Sequence, residues 1–153
     1  MKKFVLILLL TLIISTNMTV AQTTNKDCHC CDENYKLFDF WIGEWEVFDV
    51  NNKLVGTNKI TKLYDNCVLR EEWISAGTNR GTSTNFYDKE TKSWHQVWVD
   101  NTGYVLRLKG NYINNTMILK SKIIQGKKGN YYNQISWTLN ENNTVTQLWE
   151  VFD

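Results

Sequence analysis

From residue 44 onward, apolar and polar positions alternate in short runs separated by Asn, Gly and Asp, with no proline and no helical periodicity longer than a turn or two. A period of two over runs of this length predicts β-strands with one face turned to a core. The runs lie at residues 45–50, 54–63, 67–75, 83–87, 93–100, 104–110, 116–124, 131–139 and 144–152. They predict about nine strands, because each run is bounded by turn-forming residues. Asn51-Asn52, Asn101-Thr102-Gly103, Asn114-Asn115 and the segment from Asn140 to Asn143 are rich in residues that tolerate the left-handed backbone of tight hairpins. Hairpin following hairpin is an up-and-down antiparallel meander, so the expected fold class is all-β, a closed β-barrel. Segments 76–81 and 125–130 carry two glycines apiece and predict longer, mobile loops rimming an opening.

Within the runs, alternation sorts side chains onto faces. Trp94, Gln96, Trp98 and Asp100 share one face of their strand, with Ser93, His95, Val97 and Val99 on the other. The same arrangement recurs in Cys67, Leu69, Glu71 and Trp73, in Asn133, Ile135 and Trp137, and in Val145, Gln147, Trp149 and Val151. Each set places a tryptophan, and usually a polar group, on one face. If these faces look inward, the interior is both aromatic and hydrogen-bonding, the composition of a small-molecule cavity. Candidate ligand-binding residues are therefore Glu71, Trp73, Trp94, Gln96, Trp98, Trp137, Gln147 and Trp149. The competing reading is structural: tryptophans are more often core than ligand contact, and Gln96 and Gln147 could serve cross-strand hydrogen bonds. Trp41 and Trp45, flanking the tight reversal allowed by Gly43, read as plugs at one end of the barrel.

Glu71 and Glu72 are adjacent, so one points inward and the other to solvent; Glu71 shares the Trp73 face and is the inward candidate. A carboxyl beside tryptophans could act as a general acid or base, or could be satisfied by Arg70, Arg107 or a turn amide. His95 invites a haem-ligand reading, but alternation turns it away from Trp94 and Trp98. No nucleophile elbow, zinc-protease helix, phosphate loop or dinucleotide fingerprint is present, so no catalytic residue and no cofactor is assigned. Asn114-Asn115-Thr116 and Asn142-Asn143-Thr144 match the glycosylation acceptor but fall in turns, where Asn is expected anyway.

The first 21 residues carry Lys2 and Lys3, an apolar run over 4–14 and a small-residue ending Thr19-Val20-Ala21, the pattern of a secretory signal. Residues 1–21 are read as a signal peptide, 22–36 as a Cys-rich flexible lead and 37–153 as the barrel domain. An exported protein, periplasmic or secreted, without a stable membrane anchor follows, since no later stretch could span a bilayer. Loss of Lys2 and Lys3 takes the formal charge from +1 to −1, with both signs interspersed, so neither nucleic acid nor an anionic membrane is implied as partner. In an oxidising compartment the four cysteines suggest disulfides, with Cys30 or Cys31 bonded to Cys67 and a second bridge within the lead or between chains. The alternative is a soft metal site at Cys28-His29-Cys30-Cys31.

Read together, the segments at 38–47 (FDFWIGEWEV), 67–73 (CVLREEW) and 81–110 (GTSTNFYDKETKSWHQVWVDNTGYVLRLKG) resemble an uncharacterised family of exported bacterial lipocalin-like proteins. The resemblance covers most of the chain from Phe38 to Trp149 and implies a calycin-type barrel, without supplying a substrate, cofactor or catalytic residue. It also implies an arginine laid over the Gly-x-Trp tryptophan. Here that closure is absent or comes from Arg70, Arg80 or Arg107. The family would be expected to continue beyond Asp153 into a further strand. Without it an edge is exposed, which favours partial opening or a homodimer paired along that edge. The expected function is binding of a small, partly apolar ligand. The alternative is an enzyme acting on a small exported metabolite through a cavity carboxylate, with haem binding ranked lower.

Overall fold

The computed structural model describes residues 28–153, so the signal peptide expected at residues 1–21 and the first part of the expected lead lie outside the described residues. The alternating runs form β1 (Gly43–Phe48), β2 (Leu54–Leu63), β3 (Val68–Ser75), β4 (Arg80–Asp88), β5 (Ser93–Asp100), β6 (Val105–Ile113), β7 (Thr116–Lys120), β8 (Ile124–Gly126), β9 (Gly129–Leu139) and β10 (Val145–Phe152). They make a single antiparallel meander in the order β1-β2-β3-β4-β5-β6-β7-β9-β10, with the short β8 paired only to β9. The tight turn at Asn114 and Asn115 has φ values of 49° and 61°, the left-handed geometry that its sequence predicts.

Several expectations are corrected. The sheet curls into a barrel-like form but does not close, for β1 and β10 remain its two edges. Neighbours along the path are all antiparallel, and after an even number of reversals β1 and β10 run in the same direction. The glycine-containing segments are not long loops: Ser75 N–H donates to Asn79 O, and Gly126 pairs with Gly129 across a tight hairpin. The run at 116–124 is two strands, because Ser121 Oγ accepts the Asn133 N–H at 2.9 Å and diverts the ladder. In the described part of the lead, Cys30 and Tyr35 are buried and the other residues from Cys28 to Lys36 are exposed.

Packing here closes one end. Short 3₁₀ turns at Glu33–Tyr35 and Asp39–Trp41 cross the sheet opening and insert Phe38 and Trp41 among Trp94 and Trp137. Phe38 stacks on Trp41 at 5.0 Å and meets Trp94 and Trp137 edge-on at 5.6 and 5.2 Å. Trp45 Nε1–H donates to Trp41 O at 2.9 Å, so the two expected plug residues brace each other. Lys62, on β2, donates to Tyr35 O at 2.9 Å and pairs with Asp39 at 2.6 Å. The Cys30–Cys67 disulfide joins the lead to the start of β3, and Cys28–Cys31 closes a small loop beside it. No cysteine is left as a thiolate, which removes the sulfur ligands that the soft-metal reading needed. Arg70, Arg80 and Arg107 are all exposed, on the outer face of their strands, and none is laid over Trp45.

Candidate functional site

Away from the plug, the inner faces of β2, β3, β5, β6, β9 and β10 enclose a cavity of about 430 Å³. Of the residues proposed from sequence, Glu71, Trp73, Gln96, Trp98, Trp137, Gln147 and Trp149 line it. Trp94 does not. It shares the face of Trp98 but sits four residues nearer the plug, and its indole N–H donates to Asn34 O at 3.1 Å. Trp137 forms the floor, touching Phe38 and Trp41 below and the cavity above. Gln147 and Trp149 come from the edge strand β10, while Val47 faces from β1, so the cavity lies along the unpaired seam of the sheet. Trp149 is about half exposed there and is held by its Nε1–H donating to Asn133 Oδ1 at 2.9 Å.

Two glycines permit the aromatic wall. A Cβ on Gly56 would overlap the ring of Trp73, and one on Gly81 would overlap the ring of Trp98. Each glycine lets the indole of a neighbouring strand lie across its backbone, a close approach that any side chain would prevent.

Glu71 is the charged centre of the wall. The antiparallel register sets it opposite Ser83, and the strands on either side supply its hydrogen bonds. Asn58 Nδ2 donates to Oε1 at 2.8 Å and Ser83 Oγ–H donates to Oε2 at 2.6 Å. The chain of donors continues outward: Asn85 Nδ2 donates to Ser83 Oγ at 2.8 Å, and Gln96 Nε2 donates to Asn85 Oδ1 at 2.9 Å. Gln96 therefore does cross-strand work, as one of its two sequence readings had it, while still lining the cavity. The arginine partners expected for Glu71 are absent, because Arg70 points outward to Glu72 at 3.2 Å. Its partners are neutral, and burial outweighs their hydrogen bonds and pushes its carboxyl above the ordinary value of 4.5. Two buried polar atoms on lining side chains, Asn58 Oδ1 and Trp137 Nε1, have no partner within the protein.

This environment predicts a pH signature. A raised folded-state pKa means that the folded protein holds the Glu71 proton more tightly than the unfolded chain does. Its contribution is favourable at low pH and is lost as pH rises from 4.5 through the folded-state value. Glu71→Gln, in which a turned Asn58 can present its free Oδ1 to the new amide, should remove this slope. Urea unfolding across the acid-to-neutral range should show wild type losing stability relative to the variant as pH rises. Parallel curves would assign the slope to other groups.

Asn58, Asn79, Asp100, Tyr104, Leu106 and Ile135 also line the cavity but were not proposed from sequence. Asp100 and Ile135 were legible, since alternation places them on the tryptophan faces. Asn58 could have been found the same way from Gly56, Asn58 and Ile60 on β2. His95 lies outside the cavity: its ring stacks on Phe86 at 5.3 Å and stands 3.8 Å from Asp88, as its outward phase predicted. Among the described residues no group of histidine, cysteine and acidic side chains is arranged to hold a metal ion, and no helix is long and apolar enough to cross a membrane. Compared with known proteins, the chain matches no family model, no curated protein and no solved structure.

Proposed function

We propose that this is an exported, lipocalin-like binding protein that holds a small, partly apolar molecule in the cavity along its open seam. The observation that carries the reading is the wall itself: Trp73, Trp98, Trp137 and Trp149 surround about 430 Å³ of space together with the Glu71–Asn58 pair. Apolar walls with a few convergent polar groups are the usual make-up of ligand pockets, and this volume falls in their range. The unpartnered Asn58 Oδ1 and Trp137 Nε1 add polar capacity that the protein leaves unused. Disulfide engagement of every cysteine supports an oxidising compartment, in keeping with the signal pattern expected from residues 1–21.

A neutral apolar dye, N-phenylnaphthylamine, tests the reading. Its binding should quench tryptophan emission, and the double variant Trp98→Phe/Trp149→Phe should weaken it by about tenfold, the cost of two cavity contacts. Dye binding that is unchanged in the double variant would place the ligand elsewhere.

One observation favours a catalytic reading as well. Glu71, with its raised pKa and its bond to Ser83, is poised to exchange a proton with a bound molecule. Turnover of a small exported metabolite that survives Glu71→Gln would remove Glu71 from any such mechanism.

A further inference from the structure

We propose that the cavity selects an organic ammonium ion, with its cationic nitrogen against Glu71 and its apolar body among Trp73, Trp98 and Trp149. The inference rests on the binding reading and names the ligand class for the same site.

The lining includes two acidic side chains, Glu71 and Asp100, and among the described residues no lysine, arginine or histidine contributes to it. Asp100 is held as an anion at the Asn79 and Tyr104 end of the cavity by donors from Thr102, Tyr104 and Asn79, which lower its pKa. Glu71 lies deeper, is 6% exposed and has only amide and hydroxyl partners. The ion pairs Lys36–Glu33, Lys59–Glu44, Lys62–Asp39 and Arg70–Glu72 lie elsewhere.

Burial without a counter-ion favours the protonated form of Glu71, and a cation seated beside it would favour the charged form and complete a salt bridge. The missing half can arrive with the ligand. Glu71 retains acceptor capacity, since a carboxylate offers about four lone-pair sites and two donors engage it here. The surrounding indoles add to the preference because the faces of tryptophan carry negative charge density and attract cations, most strongly where water is excluded. An anionic ligand such as a fatty acid would meet the Asp100 charge and no base.

The test is calorimetry at neutral pH with three probes matched in size: 2-phenylethylamine, 2-phenylethanol and 3-phenylpropionate. The ammonium should bind wild-type protein at least about tenfold tighter than the alcohol, and the carboxylate weakest of all. Glu71→Gln should abolish the preference for the ammonium over the alcohol. If Glu71→Gln fails to fold, Trp98→Leu serves in its place and should weaken the ammonium more than the alcohol. The alcohol or the carboxylate matching the ammonium would overturn the inference and leave the binding reading standing. So would retention of the preference in Glu71→Gln, or failure of all three probes while N-phenylnaphthylamine still binds. Failure of every probe, dye included, would overturn both.

Discussion

Phe38→Ala is expected to cost about 4 kcal/mol of folding stability, whereas Phe48→Ala should cost less than about 1 kcal/mol. The two residues are chemically identical and lie ten positions apart, on either side of the Gly43 turn. Phe38 is fully buried and its ring contacts Phe40, Trp41, Trp94 and Trp137, so deletion leaves a void that flat, rigid neighbours fill poorly. Phe48 ends an edge strand and is about half exposed. Urea unfolding of the two variants measures the difference directly. Near-ultraviolet circular dichroism should also lose signal in Phe38→Ala, as Trp41, Trp94 and Trp137 lose their common packing partner. Equal losses in the two variants would mean that the plug does not hold the closed end together.

The second large effect belongs to the disulfide between Cys30 and Cys67. Its partners are 37 residues apart, and closing a loop of that length restricts the unfolded chain by about 3–4 kcal/mol on the chain-entropy account. Cys30→Ala/Cys67→Ala should therefore lower the unfolding midpoint by roughly 10 °C or more. Cys28→Ala/Cys31→Ala should do less, because that bridge spans a separation of 3 between exposed residues. The lead would not be released entirely in the first variant, since Lys62 still holds Tyr35 O and Trp94 still donates to Asn34 O. Thermal unfolding under non-reducing conditions separates the two pairs, and a smaller loss in Cys30→Ala/Cys67→Ala than in the short-loop pair would refute the assignment.

Both effects depend on a closed end that alternation alone could not reveal. A period of two states which face of a strand a residue occupies, but not how far along the barrel it lies. Trp94 and Trp98 are the clearest case. They share a face, yet four residues of extended chain separate them by roughly 13 Å. One stacks in the plug and the other walls the cavity. The same blindness to depth made Trp137 look like a wall residue when it is the floor shared by plug and cavity. Glu71 was legible because its orientation relative to Glu72 is a question of face only. Its partners were not, since Asn58 and Ser83 reach it through the registers of two different strand pairs. The open seam was hidden for a related reason: closure depends on the accumulated curl of the whole sheet, and no local signal reports whether β10 meets β1.

By itself, then, the order of residues determined the all-β meander, its hairpins, the aromatic and polar inner face, and a cysteine bridge from lead to barrel, because strand period, turn chemistry and redox context act over a few residues or on composition. Tertiary structure alone decided which of Cys30 and Cys31 reaches Cys67, which tryptophans plug and which face the cavity, and that Glu71 lies buried without a counter-ion. Those outcomes depend on register between strands and on depth within the curled sheet, where residues far apart in the chain meet.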